Sequence, residues 1–177
     1  MTTIRDELVR YINLNYDYVG VSTEFALQEL QTFGDSLIPG LIDCLTDDDF
    51  DVRKLAVDLL CEIRPLPNEA VPALIERLTD ENWVVRAAVL VSIADFGPIA
   101  AGAIPFLEPW LVLKPWPGVD HEFLRVVILC AIVALDPDRT ELLPDIREAL
   151  SSDNPMVQER AQEFFGETNT PLPDNEY

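Results

Sequence analysis

Two stretches of the chain align without a gap. "LIPGLIDCLTDDDFDVRKLAVDLLCEI", from Leu37, matches "AVPALIERLTDENWVVRAAVLVSIADF", from Ala70, at a constant offset of 33 residues. Pro39 falls on Pro72, Asp47 on Asp80, and Val52-Arg53 on Val85-Arg86. A period of this length marks an array of supersecondary units, each too small to bury its own apolar face and so stacked on its neighbours. The register extends both ways. Pro105 lies 33 beyond Pro72, and Leu124-Arg125 lies 39 beyond Val85-Arg86, so the fourth unit carries six extra residues near "LKPWPG". Five units result, near 3–35, 36–68, 69–101, 102–140 and 141–166, with a polar tail over 167–177.

Each unit reads as two helices. Leu41, Cys44 and Leu45, then Leu74, Ile75 and Leu78, keep helical spacing in the first. A proline opens it, where the missing N–H costs nothing. A short acidic turn follows, with Asp or Asn placed to cap the second helix, which starts near Asp51 or Val84. Gly34, Gly97 and Gly166 are the candidate helix stops. The expected class is all-α.

Helix pairs of this period have several identities. The TPLH signature of ankyrin units is missing, and so is the Trp, Leu-Gly, Tyr and Ala-Phe pattern of tetratricopeptide units. Pro39, Leu41, Leu45, Asp47, Val52-Arg53, Ala56 and Leu60 form a pattern that recurs at Pro72, Leu74, Leu78, Asp80, Val85-Arg86, Val89 and Ile93. This pattern resembles the HEAT family in its short HEAT-like form, known from phycobilisome-lyase-type repeats. The resemblance implies a right-handed helical-hairpin solenoid of about five helix pairs. It also implies a ladder between units, built here from Asp47, Arg53, Asp80, Arg86 and Arg125. The ladder should be central and partial, because Val119, Ser152, Gln158 and Gly20 break its pattern.

The second helices of such arrays resemble the lining of a concave face. Lys54, Asp58 and Glu62 make a solvated stripe in the second unit. The matching residues are Ala87, Val91 and Asp95, then Val126, Cys130 and Ala134, and charge returns with Glu159 and Glu163. Two adjacent helices are therefore apolar almost all round, whereas a surface helix keeps a polar face. Something covers them, either their own neighbours or a partner. Asp58, Glu62, Val91, Trp110, Trp116, Val126, Cys130, Glu159 and Glu163 are the candidate partner-binding residues, the tryptophans as large amphipathic anchors.

Chemistry is sparse. None of HExxH, GxSxG, GxGxxG or GxxxxGK[ST] occurs, and His121 is the only histidine. Asp47, Asp48, Asp49 and Asp51 lack the glycine and terminal glutamate of an EF-hand loop, so capping explains them better than calcium. Neither a catalytic centre, a metal nor a cofactor is expected. Three cysteines without a CxxC fit a reducing compartment. The charged N-terminus lacks a signal peptide's apolar run, and the apolar runs are short for a membrane span, so a cytoplasmic protein is expected.

Thirty-two acidic residues against twelve basic ones give a formal net charge of -20. Bare nucleic acid is a poor partner for such a chain. A protein with a basic or mixed surface is a better one. The expected function is a non-catalytic protein–protein interaction or scaffold module with an acidic surface. An acidic inhibitor or immunity-type protein that neutralises a basic partner stays open. So does a lyase-like auxiliary subunit, which the resemblance implies, and a homo-oligomer joined through the apolar second helices.

Overall fold

The structure is a computed structural model and describes residues 2–15, 22–113 and 120–167. Among these there is no strand. The helices are α1 (Ile4–Asn15), α2 (Thr23–Leu30), α3 (Leu37–Cys44), α4 (Phe50–Glu62), α5 (Val71–Arg77), α6 (Trp83–Ile93), α7 (Ile104–Leu107), α8 (His121–Leu135), α9 (Leu143–Ala149) and α10 (Pro155–Glu167). Consecutive helices pack pairwise, and α4, α6, α8 and α10 pack on one another in series. The molecule is a HEAT-like helical solenoid.

The local signals act as the sequence implies. Pro72, Pro105 and Pro144 sit in the first turns of α5, α7 and α9. Each second helix after the first unit has a side-chain cap: Asp49 accepts the Asp51 N–H, Asn82 that of Val84, Asp120 that of Phe123 and Asn154 that of Met156. The capping residue in the fourth unit is thus Asp120, and His121 is the first residue of α8.

Gly34 (φ 54) and Gly97 (φ 57) break the helical path in conformations open mainly to glycine. Gly166 does not: it lies inside α10, where a glycine is tolerated near a helix end. The helix runs through Glu167, one residue into the expected tail; the rest of that tail, and Lys114 to Val119 of the insertion with Trp116, lie outside the described residues.

The stretch Trp83–Leu111 has the length and hydropathy of a membrane span, at 29 residues with a mean hydropathy of 1.8 over an 18-residue window. It is not one rod. Gly97 turns the chain, and Pro98, Pro105 and Pro109 interrupt it. Its longest straight piece, α6, has 11 residues, about 16 Å at ~1.5 Å per residue, against a hydrocarbon thickness of about 30 Å.

The core is continuous along the array. Leu8, Leu41, Leu45, Leu60, Leu74, Val85, Ile93 and Leu107 are fully buried in a cluster that runs from α1 to α8. A second cluster joins α8 to α9 and α10 through Val126, Leu129, Cys130, Val133, Ile146, Val157, Ala161, Phe164 and Phe165. Helix α8 belongs to both. Its Val127, Ile128, Ala131 and Ile132 face backwards along the array and its Val126, Cys130 and Val133 face forwards. This explains why α8 is apolar almost all round: it has a neighbour on either side. The three cysteines are buried as thiols. Burial pushes Cys44 up to about 11 and Cys61 up to about 12.

Candidate functional site: the ladder and the second-helix face

Arg53 and Asp80 meet across neighbouring units. Arg53 on α4 grips Asp80 of the next unit with two hydrogen bonds, Nε to Oδ2 and Nη2 to Oδ1, each 2.8 Å. The side chains are only 5% and 2% exposed. The third nitrogen, Nη1, donates to the backbone carbonyls of Asp47 (2.8 Å) and Asp48 (3.1 Å). One guanidinium thus closes its own inter-helix turn and clasps the following one. Burial works against the Asp80 carboxylate. The Arg53 bonds, the Asn82 N–H and the charges of Arg53 and Arg77 outweigh it and hold the group below the usual aspartate range.

The other rungs differ. Asp47 pairs with Arg5, at 2.5 Å from Nε and 3.2 Å from Nη2, and this bond holds Asp47 low. Arg5 is on α1, a first helix, so the 33-residue register cannot reveal it. Arg86 closes its own turn through Nη1, to the carbonyls of Asp80 (2.7 Å) and Glu81 (3.2 Å). Its counterpart carboxylate position is taken by Val119, outside the described residues. Arg125 reaches Asp145 of the last unit in an exposed pair. Arg77, whose position does not recur along the array, donates from Nη1 to the Leu45 carbonyl of the preceding unit at 3.0 Å. These contacts fix the stacking of the units. The Asp47–Asp51 run is occupied with turns and caps, since Asp47 also accepts the Asp49 N–H. Among the described residues no group of three or more His, Cys, Asp or Glu is placed to hold a metal.

The second helices carry the other candidates. Asp58 is half-buried and pairs with Lys54 at 2.5 Å. Glu62 is exposed and borders a depression with Glu24, Leu27, Gln28 and Gln31. Val91 is 66% exposed. Glu159 is exposed, and Glu163, also exposed, pairs with Arg160 at 3.2 Å. Trp110 is half-buried against the main core, so it covers its own chain.

Val126 and Cys130 require a correction. They are 3% and 1% exposed, covered by α9 and α10, and offer no surface to a partner. The homo-oligomer expected through both apolar helices loses α8 for the same reason.

Val91 is different because it opens on a groove. Leu90, Val91 and Ala94 form one wall, Phe123, Val127 and Ala131 of α8 the floor, and Arg160 and Glu163 of α10 the far rim, around about 170 Å³. Three successive second helices share this space, so the face is concave here. Phe123, Val127 and Ala131 recur every four residues, one line along α8. That spacing was visible in the sequence, but their role as floor was not, because α8 is apolar almost all round. A larger open depression of about 670 Å³ lies between α1 and α3 and is lined by Thr3, Arg5, Asp43, Asp47 and their neighbours.

No curated protein matches the chain. A crystal structure of an engineered protein, a target of the Northeast Structural Genomics Consortium, is similar with a TM-score of 0.47 and 19% identity, over 93% of this chain and 78% of that one. The family model described as "HEAT repeats" matches residues 38–127, just over half of the chain. That span takes in the two best-aligned units, the buried Arg53–Asp80 clasp and the floor of the groove as far as Val127. The chain belongs to the HEAT-repeat family.

Proposed function

We propose that the protein is a non-catalytic protein-binding module that docks its partner on the second-helix face. The observation that carries this is the groove at Val91. Its volume of about 170 Å³ is close to that of an apolar cavity of ~150 Å³ able to hold benzene, so it takes one bulky side chain. Small-molecule sites usually span about 300–1,000 Å³, which makes it a poor cradle for a pigment and disfavours the lyase-like reading. Protein interfaces, in contrast, concentrate their energy in a few anchors set into small desolvated pockets.

The net charge of -20 favours a partner with a basic or mixed surface over bare nucleic acid. Neutralisation of a basic toxin or nuclease is a narrower form of the same reading and rests on that charge. The 33-residue period favours the short HEAT-like subtype for the units. Three buried thiols suit a cytoplasmic protein. The test is affinity capture from the native lysate at low and high salt, with wild-type protein and with Val91→Glu. Specific partners should be retained by the wild type and lost by the variant. Equal retention by both, or none by either, contradicts the reading.

A further inference from the structure

The groove also says what kind of segment fills it. Its walls are side chains of α6, α8 and α10, whose backbone groups are committed to their own helices. Among its lining residues only Arg160 and Glu163 are charged or polar in the side chain, and they bond each other at 3.2 Å. The described residues contain no strand, so no sheet edge is offered. An extended peptide laid across this surface would leave buried N–H and C=O groups without partners, at about 1–3 kcal/mol for each unsatisfied group. A helix carries its backbone hydrogen bonds with it and exposes only side chains.

The surroundings set the charge. Exposed Glu62, Asp95, Glu159 and Glu163 stand on this series of second helices or just past their ends. The neighbouring cations do not reverse this. Arg160 is engaged by Glu163, Lys54 by Asp58, and Arg64 lies 3.6 Å from Asp95. With the whole chain at -20, an acidic segment is repelled before it docks and a basic one is drawn in. The same repulsion acts against a second copy of this chain.

From this we infer that the occupant of the groove is an amphipathic helix of a partner protein, with one bulky apolar anchor for the space beside Val91 and Lys or Arg side chains flanking it. This rests on the docking reading above. A display library of random linear peptides, selected on the full-length protein, tests both levels separately. The expected binders carry Leu, Phe or Trp with Lys or Arg three or four positions away. They gain helical circular dichroism on binding, and lose affinity at least about tenfold against Val91→Glu and several-fold against Glu159→Lys.

Val91 is exposed, so its replacement leaves the fold intact. Proline-rich, extended or acidic binders that remain sensitive to Val91→Glu would overturn the helix and leave the groove as the docking site. Binders indifferent to Val91→Glu, or no enrichment at all, would remove the groove reading as well. A dimer that Val91→Glu dissociates, seen by sedimentation, would make a second copy the occupant and overturn the inference.

Discussion

Replacing Arg53 with methionine is expected to destabilise the protein by about 3–5 kcal/mol, because it leaves a buried carboxylate with Arg77, 3.7 Å away, as the remaining nearby cation. Asp80 loses two 2.8 Å hydrogen bonds while its side chain stays 2% exposed. The carbonyls of Asp47 and Asp48 lose their donor in the same step. Urea denaturation measures the loss directly; in a domain of this size it lowers Tm on the order of 10 °C. Adding Asp80→Leu to Arg53→Met should recover much of it, since the residual penalty is the under-compensated buried charge rather than the missing attraction.

The pH dependence separates the two. In the wild type Asp80 is held below the ordinary value of 3.8. Its contribution is therefore complete above that value and is lost as the pH falls through the lower folded-state value. In Arg53→Met burial dominates and raises Asp80, so the variant recovers stability relative to wild type as the solution is acidified. A constant gap between the two across this range would mean that Asp80 is not the group affected.

Val126→Asp is the second large effect. The residue lies between α8 and the last unit, against the side of the core that holds Phe164 and Phe165. Burying a charge there should cost more than about 3 kcal/mol. Because units in a linear array touch only their neighbours, the damage should be local. Hydrogen exchange should show protection lost first over 143–167, with α4 to α6 retained. The same substitution at Val91, 66% exposed, should change stability by no more than about 0.5 kcal/mol. Similar costs at both positions would contradict the assignment of one to the core and the other to the surface.

These contrasts show where the sequence is readable. A period of 33 exposes whatever repeats: the prolines in the first turns, the Asp and Asn caps, and the Arg53–Asp80 clasp, whose two members sit at recurring positions. It hides contacts that join unlike positions. Arg5 reaches Asp47 from a first helix, and Arg77 reaches the Leu45 carbonyl, with no counterpart in other units to reveal either. Gly166 looks like a stop only because glycine tolerates both a turn and a helix end.

Exposure is hidden for another reason. Helices α6 and α8 are similarly apolar, and pattern alone cannot say which has a neighbour on each side. Phe164 and Phe165 of the last unit enclose the forward face of α8. No side chain closes over Val91 to the same degree. The candidate site was legible as a helix series with acids around an apolar middle, but which apolar residues stay open was settled by packing.

Thiol labelling compares those two helices most directly. Cys130 and a Cys introduced at Val91 occupy equivalent positions of adjacent second helices, with site-by-site modification read by mass spectrometry under native conditions. The account predicts that Val91→Cys reacts nearly as fast as an exposed thiol, while Cys130, 1% exposed, reacts only as fast as the last units open. Protection of the introduced Cys together with rapid labelling of Cys130 would mean that the open face lies on α8, and would contradict the groove on which the proposed function stands.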